Sequence, residues 1–236
     1  MRIAAMLILL HLLPACNTES KATPYAELTA AEEARRALDR KDFATAILLY
    51  KELVAEQPEV YENYRFLSTA YAEAGGFDIL KAVAGTLGGD SSNLLQSISK
   101  FLPTEPTDEQ ILSMKLATEA LLAMPVEQRS YEHPEVPTAS SGAQQLEFYQ
   151  AAYSVIYINK FTEVTEAGTL DPSKLETMTD ADVDNILDNF EQIAAASGDE
   201  DGVIAKGAEA FISQLDNSPG GTRREKLLNY LSTHSI

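Results

Sequence analysis

Side chains that could carry out catalysis are few in this chain of 236 residues. Beyond the N-terminal segment there are two histidines, His133 in a proline-containing stretch and His234 close to the last residue. Neither has an obvious nucleophile or acid partner in the sequence, so both are expected in a solvated loop or tail. The sequence has no Gly-x-Ser-x-Gly elbow, phosphate-binding loop, dinucleotide-binding glycine motif or His-Glu-x-x-His zinc motif. We therefore expect a non-enzymatic protein without a cofactor.

One acidic stretch has the spacing of a calcium-binding EF-hand loop. Carboxylates stand at its positions one, three, five, nine and twelve, which are Asp180, Asp182, Asp184, Asp188 and Glu191. Position six holds Asn185, where the loop needs glycine. The competing interpretation is a helix capped by Thr179, with an apolar face that runs at helical spacing from Val183 to Ile193. The sequence favours the helix and leaves calcium binding as the alternative.

Tyrosines at helical spacing form two further candidate sites. The first set lies on a helix predicted over residues 143–165 and comprises Tyr149, Tyr153 and Tyr157. The second set comprises Tyr61, Tyr64 and Tyr71. Each set is compatible with core packing, in which the phenol groups reach the rim, or with a groove or pocket that accepts a peptide or an apolar ligand. The sequence favours core packing and leaves both interpretations open.

The single cysteine of the chain follows an apolar N-terminal segment. Met1 and Arg2 precede an apolar run over residues 3–13, and Cys16 comes directly after Pro14 and Ala15. A positive start followed by such a run is typical of a secretory signal peptide. The run is shorter than the roughly 20 residues that a transmembrane helix needs. The sequence Leu-Pro-Ala-Cys that ends at Cys16 resembles a bacterial lipobox.

The lipobox resemblance implies a membrane anchor at Cys16. Residues 1–15 would be a signal peptide that is cleaved off, and residues 16–26 a short lipidated tether. Cys16 would carry a diacylglyceryl thioether and an acylated N-terminus, with acyl chains such as palmitate. Each buried CH₂ contributes about 0.8 kcal/mol to anchoring. The residue after the cysteine is Asn17 and not aspartate, which favours the periplasmic face of the outer membrane.

Helical periodicity and helix-capping signals fill the rest of the chain. The predicted helices begin near Thr29, Phe43, Tyr61, Phe77, Ser92, Thr107, Ala143, Asp180, Val203 and Thr222. Residues 127–142 contain two prolines and several serines, and they are expected to form a loop. No segment alternates apolar and polar residues in the way that a strand requires. The sequence predicts an all-α fold.

Two of the predicted hairpins resemble tetratricopeptide (TPR) repeats. The spacing of a TPR second helix is kept by Phe43, Ala46, Tyr50, Leu53 and Pro58. The pattern of a TPR first helix is kept by Tyr64, Leu67, Ser68, Tyr71 and Gly75. Phe77 follows Phe43 by one TPR period of 34 residues. The resemblance implies TPR-like hairpins over residues 27–90, with 77–87 as the second helix of the second repeat. Residues 91–236 are expected to form an irregular helical bundle packed on them.

Charge and architecture together narrow the function. A net charge of −18 with a pI near 4.5 and no basic cluster excludes nucleic-acid binding. The chain is similar in architecture to TPR-like lipoproteins, including the T components associated with TRAP transporters. This similarity implies a non-enzymatic scaffold that binds an envelope protein partner. The alternative is a helical lipoprotein that binds a lipid or another apolar small molecule and assists a transporter.

Overall fold

A computed structural model describes residues 29–86, 94–162, 172–196 and 202–234. Every regular element within these ranges is helical, which confirms the predicted all-α class. The helices are α1 (Ala30–Asp39), α2 (Phe43–Glu56), α3 (Tyr61–Ala74), α4 (Ile79–Thr86), α5 (Leu94–Ser99), α6 (Asp108–Leu122), α7 (Ala139–Asn159), α8 (Pro172–Leu175), α9 (Asp180–Ala196), α10 (Val203–Asp216) and α11 (Arg223–Thr233). A short 3₁₀ turn, Val126–Gln128, lies between α6 and α7. Cys16 and the predicted signal peptide and tether lie outside the described residues.

Capping boxes fix the starts of three helices near the predicted positions. At α1 the Thr29 hydroxyl accepts the Glu32 N–H at 3.3 Å, and the Glu32 carboxylate accepts the Thr29 N–H at 2.9 Å. Thr107 and Thr222 make the same reciprocal pairs at α6 and α11. Each box supplies acceptors to N–H groups that the first helical turn leaves without partners.

The start of α7 differs from the sequence prediction. The helix begins at Ala139, inside the stretch predicted to be a loop, and it ends at Asn159. Glycine is required at position 142 of this helix, because a Cβ there would clash with the backbone carbonyl oxygen of Gln128. Glycine is also a common loop residue, so Gly142 made residues 127–142 resemble a loop in the sequence.

Helices α1, α2, α3 and α6 pack in succession around a small core. Helix α2 packs against α1 and α3, and α3 packs against α6. Their shared cluster consists of Ala34, Ala37, Leu38, Ala46, Tyr50, Leu53, Leu67, Ala70 and Ala120. Helices α3 and α6 come close enough for the Ser68 hydroxyl to donate to the Ala117 carbonyl oxygen at 2.7 Å. Alanine and serine at these contacts allow close helix–helix approach.

The partner of α3 is a correction to the predicted repeat. Residues 77–87 were expected to form the helix that pairs with α3, but α6 lies along α3 instead. The Phe77 side chain lies in the larger core, where its ring packs edge to face on Tyr149 with centroids 6.0 Å apart. Phe77 and Ala82 thus belong to the larger cluster and Ala120 to the smaller one, so the two cores do not divide at residue 90.

Helix α7 is the centre of the larger core. Helices α6 and α9 flank it, and α5 and α10 also contact it. Phe190, Phe211 and Tyr230 link α9, α10 and α11 through ring contacts with centroids 4.7 Å and 5.2 Å apart. No described helix is both long and apolar enough to cross a membrane. Because α7 is covered on several sides, its polar side chains must find partners inside the protein.

Candidate functional site

The tyrosines on α7 pack between this helix and its neighbours. Tyr149 is completely buried, and its hydroxyl donates to Thr69 Oγ1 at 3.3 Å. Burial raises the pKa of Tyr149 to about 12. The Tyr153 hydroxyl accepts a hydrogen bond from Asn185 Nδ2 at 2.8 Å, and half-buried Tyr157 donates to Asp182 at 2.7 Å. Within the described residues these phenol groups serve packing between α7 and its neighbours.

The tyrosines on α3 also serve packing. Tyr61, Tyr64 and Tyr71 are each half-buried against the larger core, and Tyr71 contacts both clusters. Burial raises the pKa of Tyr71. None of the six candidate tyrosines lines the cavity that the structure contains beside α7. The second set is therefore an interhelical contact and not part of that cavity.

The acidic stretch forms helix α9, so the calcium-loop alternative is wrong. The Asp182 carboxylate accepts the Thr179 N–H at 2.8 Å, as a capping residue does. Three further carboxylates surround the Arg223 guanidinium of α11, at 2.9 Å for Asp184, 3.3 Å for Asp188 and 2.7 Å for Glu191. Asp180 is exposed in the first turn. A helix spreads these groups along its axis, whereas a calcium loop would have to converge them on one point. The described residues contain no cluster of three or more side chains suited to a metal ion.

The two histidines lie in a loop and at the end of the last helix. The His133 ring nitrogen is 3.0 Å from the carboxylate of Glu135. The His234 ring stacks on Tyr230 with centroids 4.2 Å apart. These contacts agree with the loop and tail positions expected from the sequence.

A cavity of about 340 Å³ lies where three separate segments meet. Its walls come from the end of α6 and the loop that follows it, from the second and third turns of α7, and from the last turn of α9. Most of the lining is apolar, including Leu122, Val126 and Leu146. Leu122 and Val126 remain 39% and 51% exposed, which is high for large apolar side chains. The volume falls within the range of roughly 300–1,000 Å³ that small-molecule sites occupy.

Glu147 of α7 is the unusual member of the cavity wall. The residue is 4% exposed, and its Oε1 atom has no hydrogen-bond partner among the described residues. Burial raises the pKa of the Glu147 carboxyl to about 7, and a hydrogen bond from Tyr131 opposes the shift only in part. A buried carboxyl with an unpartnered oxygen is costly for the folded protein. Such groups concentrate at functional sites.

The other polar residues of the wall have partners elsewhere. Gln150 Nε2 donates to Gln192 Oε1 at 2.9 Å, which joins α7 to α9. Arg129 Nε donates to the carbonyl oxygen of Met124 at 3.0 Å. Arg129 and Glu147 both line the cavity, and no basic side chain among the described residues contributes to the pKa shift of Glu147. The Arg129 guanidinium is thus held by the backbone, and the Glu147 carboxyl keeps an oxygen without a partner among the described residues.

Glu147 is not among the candidate residues predicted above, although the sequence carries a signal for it. Glu147 is the one charged residue between Ala139 and Asn159, the limits of a helix of 21 residues. It also falls on the same row as Ala143 and Ala151, both buried. A lone charge on a buried helix row indicates a polar site inside the protein.

Comparisons with known proteins give no match. No family model matches the chain, and neither a curated protein nor a solved structure is detectably similar to it.

We predict that Gly142→Ala distorts the cavity wall. The new methyl group meets the Gln128 carbonyl oxygen, so the segment that carries Arg129 and Tyr131 must move. Overpacking of this kind costs about 1–3 kcal/mol of unfolding free energy. Urea denaturation followed by circular dichroism measures the loss, and Ser140→Ala, on an exposed neighbour, is the control. Equal stability of the two variants would contradict the close contact at Gly142.

We predict that Glu147 makes stability fall as pH rises from about 4.5 to about 7. The Glu147 carboxyl loses its proton near pH 4.5 in the unfolded chain and near pH 7 in the folded protein. Between these pH values only the unfolded state is ionised, so the free energy of unfolding falls as the pH rises, and it stays at the lower value above pH 7. Glu147→Gln should match the wild type at pH 4.5 and be more stable by on the order of 2 kcal/mol at pH 8. Urea unfolding of both proteins across this pH range measures the difference. Parallel stability curves would contradict the buried carboxyl.

Proposed function

We propose that the chain is a lipid-anchored, non-enzymatic binding protein of the cell envelope, which holds an apolar small molecule in the cavity beside Glu147. The cavity carries this proposal. It combines an apolar lining with one buried carboxyl whose Oε1 has no hydrogen-bond partner among the described residues. Apolar walls with a few placed polar groups are the usual composition of small-molecule sites.

The proposed lipid anchor would hold the binding site close to a membrane. The lipobox-like sequence that ends at Cys16 supports attachment to a membrane, and residues 16–26 would join the lipid to α1. A ligand carrier or a transporter accessory protein works at a membrane in this way. The bound molecule would be handed between the cavity and a membrane component that lies within reach of the tether.

A cavity-blocking variant tests the proposal on protein purified from its own envelope. Ala195 is exposed and lines the cavity, so Ala195→Trp fills the opening without changing the core. Ala44→Trp, at an exposed position on α2, is the matched control. Native mass spectrometry should detect a ligand that is released on denaturation in the wild type and Ala44→Trp, and that is absent from Ala195→Trp. Equal adducts in all three proteins, or none in any, would contradict the proposal.

A protein-binding scaffold is the second candidate. The TPR resemblance of the sequence supports it, because TPR-like hairpins bind partner proteins on their surfaces. Helices α1, α2, α3 and α6 pack in succession around small residues. Leu48 on α2 and Leu112 on α6 are 58% and 53% exposed. A photocrosslinker placed at these two positions should capture the same envelope protein, whereas a crosslinker at Glu209 on α10 should not. Capture of only abundant envelope proteins at all three positions would count against the scaffold.

A further inference from the structure

No basic group of the described residues compensates the charge of the Glu147 carboxyl. Its Oε1 atom accepts no hydrogen bond from the described residues, and no basic side chain among them contributes to its pKa shift. Glu147 is itself one of the residues that line the cavity, and 4% of its surface is exposed.

We infer that the ligand is an organic cation, in which an apolar body fills the cavity and an ammonium group donates hydrogen bonds to Glu147. This inference rests on the proposed function and names the chemical class of its ligand. An ammonium group supplies both the charge and the N–H donors that the buried carboxylate needs. The apolar body of the ligand would cover Leu122 and Val126, which are exposed at the cavity.

The charges around Glu147 fit a ligand with one positive charge. Arg129 and Glu132 also line the cavity and carry opposite charges, so an ionised Glu147 leaves the lining with one negative charge in excess. Tyr131 lines it too and hydrogen-bonds to the Glu147 carboxyl. Helix α10 begins nearby, since a Cβ at Gly202 would lie 3.8 Å from Glu147 Oε2, and the positive end of its dipole favours the ionised carboxylate. The net charge of −18 further attracts cations to the protein.

Binding of the cation is coupled to the proton of Glu147. With a pKa of about 7, the carboxyl is largely protonated at pH 6 and largely ionised at pH 8. The ammonium ligand binds the ionised form, so its affinity rises about tenfold between these pH values. A neutral ligand of the same shape gains no such pH dependence.

Two compounds of nearly the same shape test the inference: 2-phenylethylamine, which is cationic, and 2-phenylethanol, which is neutral. Each is titrated calorimetrically into the full-length protein in dodecyl maltoside micelles, and titrations into protein-free micelles are subtracted. The amine should bind about tenfold or more tightly than the alcohol at pH 8. Glu147→Gln should weaken amine binding by about tenfold, remove its pH dependence and change alcohol binding by less than about twofold.

Glu132→Gln is the matched control, because it removes the same charge from an exposed side chain of the same cavity. This variant should weaken amine binding by less than about threefold, as expected for a charge that is screened by water. Equal effects of Glu132→Gln and Glu147→Gln would overturn the inference. If the alcohol binds as tightly as the amine, the inference is wrong and the proposed apolar site stands. If neither compound binds, the inference and the proposed function both fail.

Discussion

Replacing Cys16 with serine is expected to abolish incorporation of labelled palmitate into the protein. The acyl anchor needs a thioether, and Cys16 is the one cysteine of the chain. Without lipid on residue 16, lipoprotein signal peptidase should leave residues 1–15 attached. Metabolic labelling measures the acylation, and intact-mass analysis measures the retained segment. The expected effect is complete loss of label from the variant.

The adjacent residue provides the control for this experiment. Asn17→Asp should keep the palmitate label, because the thiol is unchanged, and should shift the protein from the outer to the inner membrane of a two-membrane host. Membrane fractions separated by density show the difference. Continued labelling of Cys16→Ser, or loss of label from Asn17→Asp, would contradict the lipobox interpretation.

Phe190→Ala is expected to cause a large loss of stability. The Phe190 ring is completely buried, and its centroid lies 4.7 Å from that of Phe211 on the next helix. Truncation of a buried phenylalanine costs about 3–5 kcal/mol, since transfer free energy is lost and a cavity remains. Typical domains have only about 5–15 kcal/mol of stability, so the variant should unfold at a much lower temperature.

Thermal and urea unfolding, followed by circular dichroism at 222 nm (a helix signal), measure the effect of Phe190→Ala. Leu112→Ala is the control, because Leu112 is 53% exposed and its truncation should change stability by less than about 0.5 kcal/mol. A loss below about 1 kcal/mol for Phe190→Ala would contradict the packing of α9 against α10.

The sequence predicts individual helices well because their signals are local. Helix α9 runs over Asp180–Ala196 as predicted, since Thr179 caps it and its apolar residues keep helical spacing. The start of α7 was missed because Gly142, a close-packing residue, resembles a loop residue. Local patterns predict the secondary structure of a segment, but they do not show which distant residue it contacts in the fold.

Helix pairing and the cavity were less predictable because they depend on distant segments. The TPR period suggested residues 77–87 as the partner of α3, yet α6 takes this place through a contact between Ser68 and Ala117, 49 residues apart. The tyrosine spacing on α7 indicates side chains that pack against neighbouring helices, and none of them lines the cavity. The cavity needs Val126, Glu147 and Ala195 together, and no short-range pattern joins them.

The central claim is that the cavity beside Glu147 is a ligand site, and alanine methyl NMR tests it most directly. The full-length protein is labelled with ¹³C at its alanine methyl groups and titrated with 2-phenylethylamine. Ala143, Ala195 and Ala196 line the cavity, whereas Ala34 and Ala46 lie in the separate small core. We predict saturable shifts with one common Kd at the three cavity methyls and no change at the other two. No saturable shift, or equal shifts at all five methyls, would contradict the claim.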